Sequence, residues 1–288
     1  MTLVDYVEHT YQSADGLSLY ARDYPCQGTE RGVILCMHGL TRNSADFDPV
    51  VPTLTPHYRV IAADQRGRGR SAHDPNPENY HPGTYVADMF CLLDSLGLEK
   101  VILFGTSMGG LMATMMKAAQ PERFSAIIIN DICPDIAPQG LARIMGYVGA
   151  SGEFANWQEA IDELKRLNST VFPQMDESGW QKFAERIFVP SESGGLKFNY
   201  DPNIQQALKA SPDNASPPDL WPLFQGAGET PLMLIHGEIS DLLVDEGVAK
   251  FKKLVPHLHY LKVAGVGHAP LLDEPEVAGA LKSFLASL

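Results

Sequence analysis

Val101-Ile102-Leu103-Phe104-Gly105-Thr106-Ser107-Met108-Gly109 sets a short apolar run against a serine flanked by glycines, and Met108–Ala119 continues it as an Ala/Met/Leu-rich helical pattern. The pentapeptide Gly105–Gly109 fits G-x-S-x-G, which chance supplies about 0.1 times in a chain of this composition. Its setting carries more weight than the match. A buried strand runs in, a helix runs out, and the serine sits on the bend between them. A bend that sharp forces strained dihedrals on the serine and leaves no room for a Cβ beside it, hence the glycines. The outcome is a hydroxyl exposed at the carboxyl end of a strand, with the free N–H groups of a helix N-terminus next to it.

Working outward, the same strand-like pattern recurs at Val33–Met37, Val60–Ala63, Ala126–Ile129, Leu232–Ile235 and Tyr260–Val263. Apart from Lys262 in the last, these runs are continuously apolar, as strands covered on both faces of a parallel sheet must be. Helical periodicity fills the gaps at Tyr85–Leu96, Leu242–Leu254 and Glu276–Leu288. Two β-rich stretches, Val4–Gln12 and Leu17–Tyr24, open the chain around the turn Ala14-Asp15-Gly16. Alternating strands and helices predict an α/β fold with a doubly wound, mostly parallel sheet.

Residues 134–225 break the rhythm. They carry amphipathic helical stretches at Trp157–Leu167 and Trp180–Phe188 but no convincing buried strand. The stretch lies between Cys133-Pro134-Asp135 and Gly226-Ala227-Gly228 and contains Ser216-Pro217-Pro218. The expected organisation is a core of residues 1–133 and 226–288 with an all-helical cap, 134–225, inserted on it.

The balance of 35 acidic against 22 basic residues, a formal charge of −13, argues against a nucleic-acid protein, which needs clustered positive charge. Cys26, Cys36, Cys91 and Cys133 form no C-x-x-C pair and no metal spacing, so reduced structural thiols are expected. No basic start followed by an apolar run opens the chain and no stretch reaches 18 apolar residues, so the expectation is a cytoplasmic protein with no membrane contact.

Ser107 needs a base, because its hydroxyl is un-ionised at neutral pH. Of nine histidines, His268 in Val266-Gly267-His268-Ala269-Pro270 follows a strand and precedes the last helix, which puts it at the carboxyl edge of the sheet. His38 also ends a strand, but before Gly39-Leu40 in the first parallel unit, where a structural role is expected. His257 and His259 flank Leu258 without a third ligand and make no metal site. For the carboxylate that orients His268, Asp241 is preferred, since it follows Leu232–Ile235 and precedes a helix. Asp131 is a rival, because it too follows a strand; Glu238 and Asp245 are weaker. With Asp241 the chain order is Ser, Asp, His.

With these parts in hand the chain resembles the α/β-hydrolase fold superfamily over nearly its whole length. The resemblance rests on Met37-His38-Gly39-Leu40, Asp64-Gln65-Arg66-Gly67-Arg68-Gly69-Arg70-Ser71, the turn at Ser107, Asp241, and Gly267-His268. It implies a serine hydrolase with a lid, acting through an acyl-enzyme, with an oxyanion hole from the backbone N–H groups of Leu40 and Met108. It implies that the arginine-rich loop 64–71 is structural rather than phosphate-binding. The absence of aspartate at position 107 argues against dehalogenase and epoxide-hydrolase chemistry. The expected substrate is a small carbonyl compound, uncharged or weakly charged: an ester, lactone or thioester, with Trp157, Tyr147 and Asp131 as candidate pocket residues. No cofactor or metal is implied. Carbon–carbon hydrolysis of ring-cleavage diketones and cofactor-free perhydrolysis use the same triad and remain alternatives, and a catalytically quiet ligand-binding module is the reading from a different class.

Overall fold

The computed structural model describes residues 4–209, 219–227 and 230–288; Ser216-Pro217-Pro218 and Gly228 lie outside the described residues. Eleven strands and ten helices are seen among them. The chain opens on the hairpin β1 (Val7–Gln12) and β2 (Ser18–Tyr24), then β3 (Val33–Met37), the four-residue helix α1 (Val51–Leu54), β4 (Arg59–Asp64), α2 (Pro82–Ser95), β5 (Val101–Thr106), α3 (Met108–Ala119) and β6 (Phe124–Asn130). The inserted segment contributes α4 (Pro138–Tyr147), β7 (Glu153–Phe154), α5 (Trp157–Asn168), α6 (Glu177–Ile187), β8 (Phe188–Pro190), β9 (Leu196–Phe198), α7 (Ile204–Lys209) and α8 (Trp221–Gln225). The core resumes with β10 (Leu232–Gly237), α9 (Asp245–Leu254), β11 (His259–Val263) and α10 (Pro275–Ala286).

Eight strands form one sheet in the order β1-β2-β4-β3-β5-β6-β10-β11. The first two contacts, β1 with β2 and β2 with β4, are antiparallel, and every later one is parallel. The continuous apolar runs are explained by the two cores that the sheet separates. Within β3, Val33, Leu35 and Met37 point into one cluster with α2, α3 and α9, while Ile34 and Cys36 point into the other with α1 and α10. Each successive side chain changes face, and both faces are dry. Cys36 and Cys133 are free and buried, and burial pushes the Cys133 thiol up to about 12.

The expectation of an all-helical insertion is corrected. β7, β9 and β8 form a small antiparallel sheet in that order. These strands are two or three residues long, below the four to eight at which alternation becomes readable. Their aromatic residues pack together: the Phe154 ring lies 5.2 Å from Phe188 and 5.7 Å from Phe198. With Ala160, Leu164, Phe172, Trp180, Phe183 and Ile187 they make a third apolar cluster belonging to the insertion itself.

The arginine-rich loop after β4 is a structural knot. Arg66 is buried and pairs with Asp74 at 2.5 Å, Asp88 at 2.6 Å and Asp15 at 2.9 Å. Arg68 lies 4.7 Å from the Tyr85 ring centroid and donates through Nε to the Leu40 carbonyl at 2.9 Å. The Asp64 carboxylate receives the Ser44 and Arg70 amides at 2.6 and 2.8 Å. Gly69 makes that possible: its φ is +58°, and a Cβ there would stand 2.1 Å from Asp64 Oδ2. Gly69→Ala is therefore expected to cost about 1–3 kcal/mol through backbone strain and overpacking. Thermal unfolding measures it, and an unchanged Tm would contradict this account of the loop.

Candidate active site

Ser107 joins β5 to α3 with φ 52° and ψ −114°, a left-handed conformation unusual for a residue with a side chain. The neighbouring glycines are obligatory. A Cβ on Gly105 would lie 2.1 Å from the Gly109 carbonyl oxygen, and one on Gly109 would lie 2.0 Å from that of Met37. Helix α3 thus starts in direct contact with the ends of β3 and β5. The Ser107 amide donates to the Asn130 carbonyl at 2.8 Å, which ties the turn to β6 as well.

His268 faces this serine from the loop after β11. The Ser107 hydroxyl donates to His268 Nε2 at 2.9 Å, and His268 Nδ1–H donates to Asp131 Oδ2 at 2.8 Å. An ionised carboxylate only accepts, so this geometry fixes the Nδ1–H tautomer and leaves Nε2 free to take the serine proton. The loop is held by backbone contacts: Ile239 donates to Val266 at 3.0 Å and Gly267 to Val171 at 2.7 Å. Asn130 Nδ2 reaches Pro270 at 2.9 Å and Thr106 Oγ1 at 3.2 Å, bracing the histidine loop against β5.

The carboxylate on His268 is Asp131, not the preferred Asp241. Asp131 follows β6 directly and is fully buried. Its Oδ1 accepts the Gly237 amide at 2.7 Å, and its Oδ2 accepts the Ser240 hydroxyl at 2.7 Å as well as His268. Asp241 stands four residues beyond the end of β10 and turns away. Arg143, on α4 of the insertion, grips it through Nε at 2.5 Å and Nη2 at 2.8 Å, holding its carboxyl below the usual carboxylate range. Both aspartates satisfy strand end and chain order; sheet order separates them, because β6 lies beside β5 and β10 lies one strand further out. Nothing local in the sequence marks Ser240 or Asn130 as site residues, since a hydroxyl or amide beside a strand end carries no signal by itself.

His38 takes the structural role expected of it. It is fully buried, and its Nδ1–H donates to the Gly39 carbonyl at 2.7 Å while Nε2 accepts the Gln65 amide at 3.0 Å. Burial drives its pKa down to about 3, so it stays neutral at working pH. The Gly39 carbonyl faces His38, and a trans peptide points its N–H the opposite way. The Leu40 N–H is thereby directed away from His38, and Leu40 lines the cavity at Ser107. Met108 opens α3, so its N–H has no acceptor within the helix.

That cavity measures about 80 Å³ and is walled by Gly39, Leu40, Arg42 and the loop 268–272 from the core, and by Ile144, Tyr147, Asn168, Phe172 and Phe183 from the insertion. Tyr147 lines this cavity. Trp157 does not: it opens α5, is 39% exposed and is absent from the cavity wall. Asp131 is no pocket residue either; it lies behind His268.

Asp131→Asn is expected to lower kcat by about 10⁴, as loss of the correct tautomer does in a triad. Asp241→Asn, which releases only a half-exposed ion pair to the insertion, should change kcat/KM by less than about tenfold. Ser240→Ala should cost about tenfold, one hydrogen bond to a charged group. Steady-state kinetics on an activated ester rank the three, and the reverse order for the two aspartates would sink the assignment.

Residues 32–275 match the alpha/beta hydrolase fold family. A 3-hydroxybutyrate-oligomer hydrolase of Cupriavidus necator is 34% identical over 84% of each chain, and a 2-(acetamidomethylene)succinate hydrolase of Mesorhizobium japonicum is 27% identical over 88% of this chain and 87% of its own. The crystal structure of an alpha/beta hydrolase from Novosphingobium aromaticivorans superposes over the full length of both chains with a TM-score of 0.92 at 36% identity. Fold, serine turn and relatives agree: the chain belongs to the alpha/beta hydrolase family and is a hydrolase.

Proposed function

We propose that the protein is a serine esterase that cleaves short aliphatic esters through an acyl-enzyme, with Ser107 as nucleophile, His268 as general base and Asp131 as the residue that orients it. The observation that carries this reading is the unbroken line Ser107 Oγ to His268 Nε2 at 2.9 Å and His268 Nδ1 to Asp131 Oδ2 at 2.8 Å, opening on a cavity. His268 takes the hydroxyl proton as Ser107 attacks the carbonyl carbon. The N–H groups of Leu40 and Met108 stabilise the oxyanion, each donor worth roughly 3 kcal/mol. The imidazolium, stabilised by Asp131, returns the proton to the departing alcohol. A water molecule then enters, gives its proton to His268 and releases the acid.

The substrate reading follows from size and kinship. A cavity of about 80 Å³ beside Ser107 holds only a few heavy atoms, well under the ~300 Å³ that a drug-sized ligand needs. Short acyl groups fit. The 34% identity to a 3-hydroxybutyrate-oligomer hydrolase favours esters of small hydroxyacids over lactones, thioesters or ring-cleavage diketones.

Ser107→Ala should reduce turnover of p-nitrophenyl acetate by roughly a millionfold while leaving the melting temperature unchanged. A fluorophosphonate should label the native protein at Ser107 alone. Activity retained in the alanine variant, or no labelling at all, would leave the ligand-binding module as the better reading. A panel of p-nitrophenyl esters from acetate to octanoate, run beside a lactone and a vinylogous diketone, should show activity falling with chain length.

A further inference from the structure

Beyond the cavity at Ser107 lies a second, of about 50 Å³, enclosed by apolar residues of the insertion such as Leu164, Ile187 and Phe198. The two share a wall made of Thr41, Arg42, Tyr147 and Asn168. This wall is a polar collar between two largely apolar chambers, and its one formal charge is Arg42.

Arg42 stands close to the reacting group. The point where a Gly39 Cβ would sit is 3.5 Å from Arg42 Cγ and 3.8 Å from Ser107 Cβ, so a single residue's width separates the arginine stem from the nucleophile. Its guanidinium is held in one orientation. Nε and Nη2 both donate to Asp46, and the group lies 4.4 Å from the Phe183 ring centroid. A guanidinium has two edges that can grip a carboxylate. Asp46 occupies the Nε/Nη2 edge, and among the described residues nothing occupies the Nη1/Nη2 edge. That edge is also not sealed away: Nη1 is not among the buried polar atoms left without a partner, and the side chain keeps 16% of its surface accessible.

Asp46, which itself lines the cavity at Ser107, balances Arg42, and a second guanidinium lies near the pair. Arg186, on α6, lies 5.9 Å from the same Phe183 ring, makes no ion pair among the described residues and buries an Nε without a partner. Burial acts to raise the Asp46 carboxyl, yet Arg42, with Arg186 behind it, holds it below its ordinary value. Asp46 is the carboxylate that acts most strongly on Arg186, followed by Asp273 and Asp48. By contrast, Arg143 is matched one-to-one by Asp241. In a chain of net charge −13, an arginine edge left open on a cavity beside the nucleophile points to an anionic ligand.

Resting on the esterase reading above, we propose that Arg42 is a specificity-determining residue that binds a free carboxylate on the ester substrate through its Nη1/Nη2 edge. The substrate is then an ester of a short hydroxyacid or diacid whose carboxylate lies a few bonds from the scissile carbonyl. Thr41 and Tyr147, both hydroxyl-bearing, stand in the same collar. Neutral esters of equal size lack this anchor.

Two matched pairs test this with the full-length protein: 3-acetoxybutanoate against its N-methylamide, and mono-p-nitrophenyl succinate against its N-methylamide. The native protein should favour the acid over the amide by about tenfold or more in kcat/KM in at least one pair, the size of a charge-assisted bidentate contact. Arg42→Met should collapse that ratio toward one, mainly through KM, and Arg42→Lys should keep part of it. Asp46→Asn, which removes the competing carboxylate, should raise the ratio. A native ratio near one in both pairs overturns the proposal, as does a ratio undiminished in folded Arg42→Met. Should that variant fail to fold, a ratio unmoved by Asp46→Asn overturns it. Turnover of p-nitrophenyl acetate is run alongside: its absence means the esterase reading has failed, whereas its presence without any acid preference means the carboxylate site alone has failed.

Discussion

Helix α3 begins where a backbone carbonyl of β3 leaves no room for a side chain, and the rest of the site is arranged around that contact. Gly109 stands against the Met37 carbonyl, Gly105 against the Gly109 carbonyl, and Ser107 between them adopts a left-handed conformation. The strain is of the order of 1–3 kcal/mol, and the surrounding lattice of buried strands overdetermines it. In exchange the hydroxyl projects from the carboxyl edge of the sheet at the start of a helix. Everything else must come to meet it: His268 from the loop after β11, Asp131 from the end of the neighbouring β6, and the Gly39-Leu40 loop from β3.

The loop after β10 links this arrangement to the insertion. Ser240 donates to Asp131 and the next residue, Asp241, grips Arg143 on α4. Backbone contacts run the same way: Ala137 donates to Leu242 at 2.9 Å, and a Cβ on Gly140 would strike the Asp241 carbonyl at 2.4 Å. One peptide unit therefore separates the group that braces the buried acid from the group that docks the insertion. The half-exposed Arg143–Asp241 pair contributes modestly to stability; its consequence is positional, since α4 carries Ile144 and Tyr147 into the cavity wall.

The cavity is accordingly composite. The core supplies the reacting groups and Arg42, and the insertion supplies the shape. The arginine-rich loop 64–71 enters only at one remove: Arg66 is consumed by three carboxylates, and Arg68 supports the Leu40 carbonyl. It holds the strand-end loop next to the nucleophile.

Local sequence determined a great deal here. Val101–Phe104 before a glycine-flanked serine and Met108–Ala119 after it could form only a strand, a tight turn and a helix, and α3 spans the predicted residues. The apolar runs marked all six parallel strands: burial on both faces leaves a continuous pattern in five of them, and at the edge strand β11 the more exposed run is broken by Lys262. Chain order picked His268. What sequence could not decide was any question whose answer depends on which strands are neighbours. Asp131 and Asp241 both follow strand ends, and only the placement of β6 between β5 and β10 brings the former to His268 and leaves the latter to Arg143. The strands β7 to β9 were too short to carry a period, and Trp157 opened an amphipathic helix whose apolar face turned elsewhere. Ser107 was legible because its constraint is local, written in the glycines beside it. Its acid was not, because hydrogen bonds between distant strand ends are set by sheet topology, which no stretch of sequence encodes by itself.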